Sequence, residues 1–207
     1  MSQEYMFAFG FSPLEFNEYL NSGWRRFGLF FFRPNCTDCY QCQPIRVKVD
    51  KYSPSRSQRR VINKNRKTKV IFKKLEFREE LYDVYKEHSI DRFSQETDIN
   101  EFKETFFYNS VPAFQSEYYV DDKLAALGFI DASNEALSSV YFVYRTEYSE
   151  LSLGTFGAIK EIEYAGSLNL EYYYLGYYIP ENQSMAYKNK FKPHDIFDWK
   201  KGEWYEI

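Results

Sequence analysis

The run from residue 117 to residue 191 most restricts what this chain can become. Segments 117–120, 124–132 and 137–145 carry the apolar and β-branched residues of strands, separated only by Asp121-Asp122 and Ser133-Asn134-Glu135. Connections this short make consecutive strands pair antiparallel. The stretch 149–169 then sets Phe156, Ile159, Ile162 and Ala165 at helical spacing, and 172–179 reads as a buried strand. A short helix over 184–191 stops before Pro193. Three strands, a helix, a strand and a helix specify an α+β domain.

The first half is more irregular. Residues 1–11 suit an edge strand or a packed arm. Ser12 caps a short helix with Pro13 in its first turn, and Asn21-Ser22-Gly23 ends it. A strand is expected over 24–33, where Gly28 lets the backbone approach a neighbour. Ile45, Val47 and Val49 alternate with Arg46, Lys48 and Asp50, the pattern of a half-buried strand with one basic face. After the turn Ser53-Pro54-Ser55 come a basic helix over 57–69 and a strand over 69–73. Phe77, Leu81, Val84, Tyr85 and His88 form the apolar stripe of a helix over 78–87; Ile99, Phe102 and Phe106 mark another, and 109–113 is a linker. The chain divides into an amino-terminal module, 1–75, and a second domain, 76–207.

Charge sharpens that division. The chain has 27 Lys and Arg against 30 Asp and Glu, yet Arg46 to Arg78 holds 13 basic residues and 2 acids, leaving 14 against 28 elsewhere. A phosphate backbone responds to such a local field rather than to the net charge of -3. The plain alternative is a solvated basic face. No apolar run is long enough to span a membrane and Met1 is not followed by a basic and then apolar leader, so a cytoplasmic protein is expected.

Cys36, Cys39 and Cys42 are the only cysteines, spaced CxxCxxC. An odd, clustered set argues for reduced thiols rather than a secreted disulfide framework. A zinc or iron–sulfur site, a loop of structural thiols and a redox-active pair all stay open. A four-ligand metal site would draw on His88 or His194, and His88 reads better as a packed core residue. Arg56, Arg59 and Arg60, with Arg25 and Arg26 beside Trp24, offer forked donors for phosphate or carboxylate, or pair internally with the acids. Gly154 and Gly157 at a helix start suggest a backbone anion site, or else close helix–strand packing. Tyr177, Tyr178, Tyr187 and Lys188 are the polar groups expected to line a cleft beside the last buried strand.

Several separated motifs carry a family resemblance: GWRRFG, FRPNCTDCYQCQPIRV and YSPSRSQRRVINKN, then SLGTFGAIKEIEYA, YYYLGYYI and MAYKNKFKP, in order over most of the chain. They resemble the aminoacyl-tRNA–protein transferases, the bacterial aspartate/glutamate leucyl and eukaryotic arginyl enzymes that add an amino acid to protein N-termini in an N-degron pathway of protein degradation. The resemblance implies a GNAT-type acyltransferase fold with an amino-terminal cysteine-containing basic module, matching the element order above. It implies a charged tRNA and a protein with N-terminal Asp or Glu as partners. The α-amine would attack the aminoacyl ester, an activated bond that requires no cofactor, although a zinc or iron–sulfur cluster at the cysteines is expected as an option. Asp131 is expected to accept the amine's proton or hold the amine, Tyr178 to stabilise the oxyanion, and Lys188 to serve the chemistry. Trp24, Arg25, Arg26, Arg56, Arg59, Arg60, Gly154, Gly157, Tyr177 and Tyr187 are expected around the substrates. Compactness favours a leucyl donor. Arginyl transfer, a coenzyme-A-dependent acetyltransferase and a non-catalytic RNA-binding module are the alternatives.

Overall fold

The structure, a computed structural model, describes residues 2–207; Met1 lies outside them. Eight strands form one sheet in the order β11-β10-β4-β9-β8-β7-β6-β5. Its central meander is β6 (Ala113–Val120), β7 (Lys123–Ala132) and β8 (Ala136–Tyr144), joined by the short turns that the sequence requires. β5 (Lys69–Lys74) pairs with β6, while β4 (Gln43–Lys48) lies between β9 (Tyr172–Tyr178) and β10 (His194–Asp198), with β11 (Glu203–Glu206) at the edge. Strands from before and after residue 75 are therefore joined by backbone hydrogen bonds. A smaller antiparallel sheet, β1-β3-β2, uses β1 (Gln3–Phe7), β2 (Arg25–Phe27) and β3 (Phe30–Pro34).

Helices cover both faces of the large sheet. α5 (Leu153–Ser167) sets Ala158, Ile159, Ile162 and Ala165 against Ile45, Val47, Ile130 and Tyr173. On the other face α3 (Glu79–Phe93) and α4 (Ile99–Phe106) bury Leu81, Val84, Phe102 and Phe106 against Leu127 and Phe129. α1 (Pro13–Asn21) packs Phe16 and Leu20 with Phe31 and Tyr174. Adjacent Tyr173 and Tyr174 thus serve opposite faces, as strand alternation dictates. Among the described residues no helix is long and apolar enough to cross a membrane.

Three local expectations change. The single strand at 24–33 is the hairpin β2–β3, because Gly28 turns the chain at φ +57° and its backbone N–H reaches Thr105 O at 2.7 Å. A Cβ there would run into Glu104 O, so only glycine fits. The helix expected over 149–169 is broken at Ser152, with a 3-10 turn (Thr146–Leu151) before α5. The basic face of β4 is not solvated: Arg46 is buried, stacked on Tyr172 at 3.7 Å and Trp204 at 4.4 Å, and its Nε donates to Asp195 at 3.1 Å. β10 and β11, which extend the sheet beside β4 and supply Asp195 and Trp204, lie beyond the last helix that the periodicity indicates.

Glu117 ties β5, β6 and the start of α3 together. It is 1% exposed and accepts from Arg78 at 2.9 Å, Tyr119 at 2.6 Å and Lys73 at 3.1 Å. Burial alone would raise its pKa, but the donors from Arg78, Tyr119 and Lys73 outweigh it and hold the carboxyl at about 2. A lowered folded pKa contributes stability that is present above the ordinary glutamate value of 4.5 and lost as pH falls through about 2. Glu117→Gln is expected to cost about 3 kcal/mol at pH 7, with the difference from wild type shrinking below pH 4.5. Urea denaturation at pH 7 and pH 3 measures it; an equal difference at both would refute the assignment.

Candidate active site

Every neighbouring pair in the large sheet is antiparallel except β8 and β9. These two run parallel and pair only over Ala136–Ser138 and Tyr172–Tyr174. Beyond that point they part, and a bulge in β8 opposite Phe129 and Ile130 accompanies the separation. A cleft of about 510 Å³ lies where they diverge, lined by Ser139, Tyr141 and Phe142 from β8 and by Leu175, Gly176 and Tyr177 from β9. The hairpin adds Arg25, Arg26, Phe27 and Phe32; the segment after β9 adds Ser184, Met185, Tyr187 and Lys188.

The walls are mainly apolar and the charges are few. Arg26 is committed: it donates to Gly28 O at 2.7 Å and Asn109 Oδ1 at 2.8 Å, and forms a buried ion pair with Asp131. Burial pushes the Asp131 carboxyl up against the pull of Arg26 and Arg25, and the ion pair with Arg26 engages its Oδ1. Arg25 differs. It is 7% exposed, donates through Nη1 to Trp24 O at 2.5 Å, and leaves Nε and Nη2 buried without a partner. Its guanidinium rests on the Tyr174 ring at 4.9 Å and near Tyr177 at 5.7 Å. Burial lowers its pKa, although an arginine stays charged. Lys188 Nζ donates to Tyr177 O at 2.7 Å, and burial, with Arg25 nearby, brings its pKa down to about 8. The Tyr177 hydroxyl donates to Gly23 O at 2.9 Å and so fixes β9 to the hairpin side of the cleft.

Arg25, Arg26, Asp131, Tyr177, Tyr187 and Lys188 thus meet in one cleft. The other expected residues lie elsewhere. Tyr178 is buried with Ile45 and Phe191 in the core on the α5 face and does not line the cleft. Trp24 packs with α1 beneath the Arg33 guanidinium, 4.9 Å away. Arg56, Arg59 and Arg60 stand exposed on α2 (Arg56–Lys64), which packs on α5, and do not line the cleft. The Ser55–Gln58 capping box sets this helix, turning Gln58 inward and the arginines out. Gly154 faces open space in the first turn of α5, whereas Gly157 is glycine for packing: a Cβ would collide with the Phe142 ring.

The cysteine expectation is corrected. Among the described residues no group of three or more His, Cys, Asp or Glu side chains could hold a metal ion, which argues against a zinc or iron–sulfur site. Cys36, Cys39 and Cys42 border a separate hollow of about 280 Å³. The Cys36 thiol accepts from Ser2 N at 3.3 Å, and burial, then Cys39 and Cys36, push the Cys42 thiol up, away from the thiolate a metal needs. Neither histidine reaches the thiols: His88 Nδ1 lies 2.8 Å from Tyr144 O and His194 Nδ1 2.8 Å from Phe191 O.

Residues 78–198 match the family described as arginine-tRNA-protein transferase, C terminus, and residues 2–60 match its N-terminal counterpart. The chain belongs to the arginine-tRNA-protein transferase family. Among its relatives in that family, an aspartate/glutamate leucyltransferase of Campylobacter jejuni is 38% identical over 189 residues, covering 87% of this chain and 78% of the relative. One from Methylobacillus flagellatus is 33% identical over 190 residues, covering 89% and 75%. Solved structures share the fold at low identity. L-PGS from Bacillus licheniformis has a TM-score of 0.55 at 14% identity over 84% of this chain, and FemX 0.57 at 11% over 84%. This chain spans 60% and 63% of those two chains. Membership identifies a transferase.

Sequence reasoning missed Ser139 and Phe142 in the cleft wall and Glu161 behind it. The signal for Glu161 was present: a carboxylate falls among the inward positions of α5, between Ile159 and Ile162.

Proposed function

We propose that this protein transfers leucine from leucyl-tRNA to the α-amine of proteins that begin with Asp or Glu. One observation carries the choice of substrates: in a mainly apolar cleft, the Arg25 guanidinium leaves two buried donor nitrogens unpaired, while the lining carboxylate, Asp131, is neutralised by Arg26. A leucine side chain suits walls of Phe27, Phe32, Tyr141 and Phe142. An arginine side chain there would be desolvated with no free carboxylate to meet it, a cost of several kcal/mol. Conversely, an acidic acceptor side chain supplies the acceptor atoms that Arg25 lacks. The relatives' designation as aspartate/glutamate leucyltransferases supports the same reading.

The reading assigns a GNAT-type acyltransferase fold, with an amino-terminal cysteine/arginine module (1–75) and a catalytic domain (76–207) that share the large sheet. The parted β8 and β9 then admit the acyl donor, and the exposed arginines of α2 meet tRNA phosphates outside the cleft. A charged tRNA as donor makes the cytoplasm the working compartment, and the acidic N-termini so extended enter an N-degron pathway. In the reaction the neutral α-amine attacks the ester carbonyl. The N–C bond forms, the bond to the ribose oxygen breaks, and Lys188 donates to the oxyanion between these events. Arg25 and Lys188 also favour the neutral form of an amine held beside them.

The test supplies leucyl- and arginyl-tRNA in parallel with peptides beginning Asp, Glu, Asn, Gln or Ala. Leucine transfer confined to Asp and Glu is expected. Equal use of arginyl-tRNA, or transfer to Asn and Gln at the same rate, would refute it.

A further inference from the structure

Glu161 is an internal carboxylate with no cation. It is 1% exposed and forms no ion pair with any Lys, Arg or His among the described residues. Its partners are hydroxyls: Tyr173 donates to Oε2 at 2.5 Å and Ser116 to Oε1 at 3.1 Å, and the Ser139 hydroxyl close by also draws its pKa down. The room it occupies is carved out, since a Cβ on Gly128 would lie 2.5 Å from Oε1. Three strands and a glycine thus shape a seat for one carboxylate, where an apolar side chain would serve a core equally well.

Ser139 gives this seat an outlet. It is half-buried and lines the cleft at the point where β8 leaves β9. Ser139 is thus the residue that both borders the cleft, where on the leucyl-transfer reading the amine meets the ester, and acts on Glu161. We infer that Glu161, acting through the Ser139 hydroxyl, accepts the proton shed by the attacking α-amine and returns it to the leaving ribose oxygen. The step balances: as the N–C bond forms, nitrogen gives a proton to Ser139 Oγ while Ser139 gives its own to Glu161; as the C–O bond breaks, the transfers reverse onto ribose oxygen. No net proton is consumed by the neutral amine.

The electrostatics suit that task. Burial raises the Glu161 carboxyl to about 7, against hydrogen bonds from Tyr173, Ser116 and Ser139 that lower it. The other titratable groups facing it are the phenols of Tyr118 on β6 and Tyr187 after β9, both held neutral by burial. A base with a pKa near the working pH is the effective kind.

This inference rests on the leucyl-transfer reading, and the test separates the two. kcat/KM for leucine transfer to an Asp-peptide is measured from pH 5.5 to 8.5. Two deprotonations, of Glu161 and of the α-amine (pKa ~8), make log kcat/KM rise with a slope of two below pH 7. Glu161→Gln is expected to lower the rate at pH 6.5 about 100-fold or more and reduce the slope to one. Ser139→Ala, which keeps the bonds from Ser116 and Tyr173, is expected to do the same. Glu163→Gln, an exposed neighbour, keeps the wild-type profile. Slopes of two in Glu161→Gln or Ser139→Ala, or a wild-type slope of one, overturn the inference alone; wild-type protein that transfers no leucine overturns it together with the reading beneath it.

Discussion

Arg25→Met is expected to cut transfer to acidic N-termini sharply while leaving the protein as stable as before, or more so. The two effects have different origins. In the free protein Arg25 is a buried cation with two donor nitrogens unsatisfied, each costing about 1–3 kcal/mol. Stacking on Tyr174 and Tyr177 offsets this by about 2 kcal/mol. Methionine fills the same space without a charge, so the net change favours the variant by about 1 kcal/mol, or ~2–4 °C in Tm for a chain of this size. With substrate bound the balance inverts. Removing one partner of a desolvated charge pair costs about 2–5 kcal/mol, so kcat/KM for an Asp-peptide should fall roughly 30-fold to several thousand-fold. Arg25→Lys keeps the charge but loses the fork, and should recover only part of the activity. Thermal melts and parallel kinetics with Asp- and Asn-peptides decide it. A variant that still prefers Asp over Asn would refute the assignment, and a Tm drop of many degrees would mean that Arg25 is structural.

The same contrast explains which parts of the molecule are legible before folding. Periodicity reports burial, so the meander 113–144 and the stripes of α3 and α4 could be read directly. It does not report what a buried position faces. Arg46 alternates with Ile45 and Val47 as an outward residue should, yet β10, from 149 positions along the chain, pairs with β4 and sets Asp195 against it. Arg56, Arg59 and Arg60 look like the chemical centre because they cluster in sequence; an ordinary capping box turns them to solvent instead. Closeness of the cysteines in sequence likewise does not yield converging ligands: among the described residues no three His, Cys, Asp or Glu side chains are grouped so as to hold a metal ion. Arg25, Asp131 and Lys188 are far apart in the chain and could be named singly. Their meeting depends on the divergence of β8 and β9, a feature of register that composition cannot carry.

That meeting depends in turn on Arg26, and Asp131→Asn is expected to show how strongly. Arg26 joins three pieces: the hairpin through Gly28 O, the linker through Asn109 and the central sheet through Asp131. Neutralising Asp131 leaves the guanidinium 5% exposed with no counter-ion, which costs about 3–5 kcal/mol. At ~2–4 °C per kcal/mol, Tm should fall by roughly 6–20 °C. Activity should fall as well, because β2 carries Arg25 beside Arg26 and a loosened hairpin misplaces the acid-reading fork. The double change Arg26→Met with Asp131→Leu separates the roles. Removing both charges should recover most of the stability, since a buried pair replaced by apolar groups is often neutral. Activity should stay low, because two flexible apolar side chains cannot hold β2 in the register that the pair imposes. If Asp131 were instead the proton acceptor, Asp131→Asn would abolish transfer with Tm nearly unchanged, and thermal melts with parallel transfer assays of wild type, Asp131→Asn and the double variant distinguish the two outcomes.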